Sequence, residues 1–279
     1  MTVADGASAN GGRIDLIPEG SVLLSLEQGV ARLTLNRPAS ANGLSVELLK
    51  AFHEAVMVCH GRPDLRVLVL RGAGAHFCAG GDVKDFASRG DGLPDYLREA
   101  TAYLQIVCGA LVRLEAPVVT GVHGYAAGGG GLGLVCVSDF VVAGASAKFL
   151  AGATRVGMAP DGGSSVTLQR LVGFRRAMDI VMRNPVIGAD EALGMGLITS
   201  VSPDDRLDQD VDDLAASLAQ GAPKALAATK RLLWNGLGLG FEACLPEEAR
   251  TVAELARTHD AMEGLKAVIE KRPARFTGQ

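Results

Sequence analysis

The chain has 279 residues, of which 48% are apolar, 21% charged and 4% aromatic, and its formal net charge is −4. At about 150 residues per domain this is one large domain or two, with core enough to fold without disulfides or metals. Scattered basic residues exclude a nucleic-acid footprint, and the five cysteines form no CxxC pair, so neither a disulfide framework nor a metal site is expected.

Residues 1–20 contain Asp5, Asp15 and Glu19 and no apolar h-region, which predicts a disordered tail, not a signal peptide. Residues 30–36 alternate apolar and polar, as a half-buried strand does. Ser45 is placed to cap a helix running to about His60, with Leu48, Leu49, Phe52 and Val56 on one face. A short apolar strand at 67–71 leads into a glycine-rich turn. Residues 84–98 mix charges with Gly90 and Gly92 and read as a lid or a surface helix-loop. A helix over 95–113 precedes a buried strand at 118–122, a second glycine-rich turn, a short apolar helix to about Val137 and a strand at 140–142.

Residues 116–138 carry no charge and are long enough to cross a bilayer. Pro117, His123 and seven glycines argue instead for strand, turn and helix in a soluble, cytoplasmic protein. Beyond Asp161 the pattern is helical over 164–172, 175–182, 190–194, 204–220, 223–234 and 242–271, with one strand near 197–201. The predicted class is α/β, with a core over 21–202 and a helical region over 203–279.

The 36 glycines concentrate where chemistry is plausible. Ala75-His76-Phe77-Cys78-Ala79-Gly80-Gly81-Asp82 and Gly124-Tyr125-Ala126-Ala127-Gly128-Gly129-Gly130-Gly131 each follow a strand and open onto a helix. Free amides there can converge on a carbonyl oxygen as an oxyanion hole. Ordinary tight turns are the bland alternative. Gly128-x-Gly130-x-x-Gly133 also fits a dinucleotide fingerprint, but no acidic residue stands about 20 residues on.

With Leu35-Asn36-Arg37-Pro38, Ala41-Asn42, Pro160-Asp161-Gly162-Gly163, Glu191-Ala192-Leu193 and Glu270-Lys271-Arg272-Pro273, the chain resembles the crotonase (enoyl-CoA hydratase/isomerase) superfamily from about Val22 to Phe276. The resemblance implies a spiral of β-β-α units and a C-terminal helical region that builds homotrimers or hexamers. It implies no cofactor, a coenzyme A thioester as substrate, and oxyanion donors at Gly81 and at Gly129 or Gly130. The second donor stays open because one extra residue lies between Tyr125 and Asp139. Ala41, Ala79, Gly80, Gly81, Arg37 and Lys271 match positions that approach coenzyme A; Asp82, grouped with them, reads as a helix cap.

Family hydratases hold water between two glutamates. The matching positions here are Leu132 or Gly133, and Ala153, none of which transfers a proton. Asp161 matches a functional aspartate of dienoyl-CoA and ring-opening isomerases, so the expected reaction is a double-bond shift. Pro-Asp-Gly-Gly is equally good turn chemistry. The partners of a dehalogenating relative are replaced by Ala153 and Gln105. The alternatives are a hydratase drawing on Asp85, Asp95 or Glu99, and a non-catalytic acyl-CoA-binding protein.

Overall fold

The computed structural model describes residues 12–279. The main sheet contains β1 (Ile14–Ile17), β2 (Val22–Glu27), β3 (Val30–Leu35), β4 (Val67–Gly72), β5 (Val118–Val122), β7 (Phe140–Gly144) and β10 (Ser200–Ser202) in the order β1-β2-β3-β4-β5-β7-β10. Pairing is antiparallel from β1 to β3 and parallel from β3 to β10. A second sheet joins β6 (Tyr125–Ala127), β8 (Lys148–Leu150) and β9 (Ile187–Gly188).

The tail expected over 1–20 is in part a strand, because Ile14 and Ile17 find partners in β2 at the sheet edge. Residues 1–11 lie outside the described residues.

The central strands obey period 2 and are buried on both faces. In β4, Leu68 and Leu70 join one core cluster while Val67 and Val69 join the other. The first cluster is covered by α1 (Val46–His60), α3 (Leu93–Arg113) and α4 (Gly128–Cys136). The second is covered by α8 (Leu207–Ala219), through Leu207, Val211 and Ala215. α8 thus packs in one cluster with β4, β5 and β7. Ser45 does cap α1, its hydroxyl accepting from the Leu48 amide at 3.2 Å.

α5 (Ser164–Val172), α6 (Phe174–Arg183) and α7 (Ala189–Gly194) complete the core, whereas α2 (Val83–Ser88) has no buried residue. α9 (Pro223–Gly236) is fastened to it by buried Lys230, which pairs with Asp139 at 2.7 Å, and by Trp234, which donates to the same carboxylate at 2.8 Å. The single helix expected over 242–271 is two, α10 (Phe241–Leu255) and α11 (His259–Glu270). Thr258 interrupts it by accepting from the Ala261 amide at 3.1 Å. Buried Asp260 then takes the amides of Thr277 and Gly278, folding the last residues back onto α11. Among the described residues no helix is long and apolar enough to cross a membrane; residues 116–138 form β5, β6 and α4.

Candidate active site

The two glycine turns meet. The Cys78 amide donates to the Tyr125 carbonyl at 3.1 Å and the Ala127 amide to the Cys78 carbonyl at 2.9 Å, zipping one turn to the other. On its far side the first turn is bound to residues 41–44, through Ala79 to the Ala41 carbonyl at 3.0 Å and Leu44 to the Gly80 carbonyl at 2.7 Å. Gly80 has φ +92° and Gly128 φ +67°, conformations that disfavour a side chain. A Cβ on Gly80 would stand 2.6 Å from the Ala127 carbonyl oxygen and 2.7 Å from the Gly128 Cα. A Cβ on Gly128 would stand 2.9 Å from the Gly80 Cα. The amides of Gly81 and Gly129 are thus one residue beyond a glycine-to-glycine contact. Among the described residues no backbone or side-chain acceptor takes the Gly81 amide. At the other turn, Ala127 occupies the N-cap of α4 and offers no side chain to its first amides.

Fully buried Asn42 aims the first turn. Its side-chain nitrogen faces the carbonyls of Ala73, His76 and Phe77 at 2.9, 2.8 and 3.1 Å, and its oxygen accepts from the Arg37 amide at 2.8 Å. In the sequence Asn42 stands out only as part of the Ala41-Asn42 motif. The signal available was an amide side chain in an Ala-Asn-Gly run between strand and helix, a composition typical of local backbone bonding. Arg37 itself donates to the Gly43 carbonyl and pairs with Asp82 at 3.2 Å. Asp82 caps α2 by accepting from the Asp85 amide at 3.1 Å, as its position suggested.

Both turns open onto a cavity of about 840 Å³. Ala79, Gly81, Gly129 and Gly130 line it, with Asp161 beside them. Gly80 is at the base of the turn contact, while Arg37, Ala41, Asp82 and Lys271 are not among the lining residues. Lys271 ends α11, exposed, with φ +53°.

Asp161 is the one carboxylate among the described residues that line the cavity. Its Oδ1 is buried without a hydrogen-bond partner, and a Cβ on Gly129 would collide with it. The turn chemistry is present as well: Gly162 and Gly163 have positive φ, and the Ser164 amide and hydroxyl both donate to the Asp161 carbonyl. The main chain makes that turn; Gly163, not Asp161, is the N-cap of α5. Burial pushes the Asp161 carboxyl above its ordinary range, which extends its protonated form towards neutral pH.

The hydratase positions offer no substitute acid. Leu132 is buried in the core, a Cβ on Gly133 would press on Gly162, and Ala153 lines the cavity with a methyl group. The three acids of the lid region are not brought in either. Asp85 is held by Tyr96 and Arg89, Asp95 pairs with Arg98, and Glu99 pairs with Lys50 at 2.8 Å. Burial would raise the Asp85 carboxyl, but the Tyr96 and Arg89 hydrogen bonds outweigh it and hold it below its ordinary range. Burial pushes the Cys78, Cys108 and Cys136 thiols up to about 12, so none is a nucleophile at neutral pH.

Residues 25–279 match the family model described as enoyl-CoA hydratase/isomerase. The chain belongs to that family. A probable enoyl-CoA hydratase of Rhodobacter capsulatus is 38% identical over 93% of this chain and 98% of that relative. A trans-2-decenoyl-[acyl-carrier-protein] isomerase of Streptococcus mutans is 30% identical over 92% of this chain and 98% of that relative. Among solved structures, a putative enoyl-CoA hydratase from Streptomyces coelicolor superposes with a TM-score of 0.89 at 32% identity over the whole of both chains. This chain therefore has the crotonase fold and belongs to a family whose relatives here carry both hydratase and isomerase names.

Proposed function

We propose that this family member is an enoyl-CoA isomerase. The amides of Gly81 and Gly129 hold the thioester oxygen while Asp161 carries the proton. Asp161 takes a proton from C2 of a 3-enoyl thioester, and the electron pair moves onto the oxygen as a dienolate. Return of the proton at C4 closes the C2–C3 double bond, so one base, one oxygen cradle and no added water suffice. Gly129 is preferred to Gly130 because Gly129 adjoins both the Gly80–Gly128 contact and Asp161, whereas Gly130 faces Leu44. The observation that carries the reading is Asp161, its Oδ1 unpartnered, the one carboxylate among the described residues that line the cavity.

Asp161→Asn is the test. Turnover of 3-enoyl-CoA is expected to fall by at least about a hundredfold, the lower range for a positioned acid-base group. Unchanged turnover would remove Asp161 from the mechanism. Because the folded-state pKa is raised, wild-type activity should decline as pH falls through that elevated value, where the base is protonated. Stability has the opposite sign. The carboxyl favours the fold when protonated, and that contribution is lost as pH rises through the folded pKa. Asp161→Asn should therefore denature later than wild type near neutral pH and lose this advantage in acid.

The assembly belongs to the same reading. Phe241, Val268 and Ile269 of the C-terminal helices are 75%, 78% and 80% exposed in the single chain. Apolar side chains this open suit burial between copies, and a homotrimer, single or paired into a hexamer, is proposed. Sedimentation at a monomer mass would contradict it.

A further inference from the structure

We infer that the chain carries a second site, at the end of the main sheet opposite the oxyanion turns, that binds a dianionic phosphoryl group of a small molecule.

A cavity of about 800 Å³ lies among the segments that lead into β4 and β5, with the start of α9 and residues 277 and 278 on its wall. Residues 62–66 of that wall run directly into β4 at Val67, and residues 113–117 into β5 at Val118. The two strands are parallel, and the turns at 75–82 and 124–131 leave them at the other end. The cavity is therefore about one strand length, roughly 16 Å, from the reacting atoms. It shares no lining residue with the active-site cavity.

Its charge is uneven. Arg62 forks onto Asp64 at 2.8 and 2.6 Å, so these two offset each other. Arg66, Arg113 and Lys224 line the cavity too, and among the described residues none of the three has a carboxylate partner. Glu115 is the one remaining carboxylate on the lining to oppose them. Two positive charges are left over. A dianion balances them, whereas a monocarboxylate does not.

Arg66 is the centre of the site. Its stem crosses Gly29, where a Cβ would stand 2.6 Å from its Cγ, and its Nη2 reaches to 4.0 Å from a Cβ on Gly278. Nη1 is buried without a hydrogen-bond partner. Among the described residues Arg66 makes no hydrogen bond or ion pair at all. Idle donors on a partly desolvated guanidinium are costly, and phosphoryl oxygens match its planar fork while leaving one for a lysine.

The main chain favours the same sign. α9 begins on the wall at Pro223 and Lys224, its N-cap Ala222 supplies no side-chain oxygen, and its first turn holds no acid. The positive end of that helix is open to an anion. The carbonyl ends of α1 and α3 reach the same wall but are occupied. The Cys59 carbonyl accepts from the Arg62 amide at 3.1 Å, the Ala110 carbonyl from the His60 ring at 3.0 Å, and the Leu111 carbonyl from Lys230 at 2.9 Å.

The test is calorimetry on the full-length protein with inorganic pyrophosphate as the probe, at constant ionic strength, with and without saturating butyryl-CoA. One pyrophosphate per chain is expected in both cases, at least about tenfold tighter than acetate. Arg66→Gln and Lys224→Gln should each weaken it by about tenfold, with turnover of 3-enoyl-CoA unchanged. Lys224 is exposed, so its variant reads the site if Arg66→Gln does not fold. ADP is titrated in the presence of butyryl-CoA. Tighter binding than pyrophosphate supports the site with a nucleotide as its ligand, and weaker binding supports it with a free diphosphate. Displacement of pyrophosphate by butyryl-CoA, no saturable binding, or equal affinity in the wild type and the folded variants would overturn the inference. Loss of the isomerase reading would leave it standing, because neither residue touches the reacting end.

Discussion

The turn at 75–82 is held from outside by a side chain, while the turn at 124–131 is held by main chain and by the start of α4. Asn42 reaches across to three carbonyls around the first turn. The second is set by its pairing with Cys78 and by helix geometry, with no side chain capping it. Two turns that meet can thus be held in two ways, and the two ways fail differently. Both turns are vulnerable to gaining a group at their junction glycines, and the first is vulnerable as well to losing the Asn42 amide.

Gly129→Ala should show the larger effect. The added methyl group meets Asp161 Oδ1, so turnover should fall by about a hundredfold or more, with little to gain from any repacking of distant residues. Steady-state kinetics on a 3-enoyl-CoA would read it, and near-normal turnover would break the contrast at its stronger end. Asn42→Ala comes next. It leaves buried carbonyls unpaired and should lower stability by about 3 kcal/mol, measured as a shifted urea midpoint. Should Asn42→Ala be neutral, the first turn is not held as described. Tyr96→Phe is the mildest. The Tyr96 hydroxyl accepts from the Val46 amide at 3.0 Å and donates to Asp85, joining α1 and α2 behind the first turn. Its loss should cost about 1 kcal/mol and raise KM more than it lowers kcat, sharpening the distinction between support and chemistry.

Much of this architecture is readable in the sequence where physical signals are strong. Four apolar residues in a row at 67–70 and the fully buried run at 118–122 mark central strands because both sheet faces are covered. The Ser45 and Asp82 caps follow from residue type and place. The small sheet is invisible by pattern, since β6, β8 and β9 have three, three and two residues, too few to display a period. β1 hides behind a polar neighbourhood, and its four residues acquire meaning only when β2 is beside them. The break at Thr258 was legible as a capping residue but is masked by the unbroken helical periodicity around it.

The site divides along the same line. The glycine turns and Asp161 stand out as composition, whereas their meeting depends on strand register, which no local window contains. The three carbonyls that Asn42 reaches are 31 to 35 residues away, beyond any local window. The excess residue between Tyr125 and Asp139 cannot be placed by counting. The approaches of Gly128 to Gly80 and of Gly131 to Cys78 bring the beginning of α4, not its end, against the first turn, and Gly129 faces Asp161.

The abutment of Gly80 on Gly128 leaves room for hydrogen atoms alone. Variation of this enzyme, by selection or by design, therefore has little freedom at the centre and must come from the surrounding walls. Libraries that diversify α2 and α3 while sparing both junction glycines should retrain what the protein accepts without unmaking how it reacts.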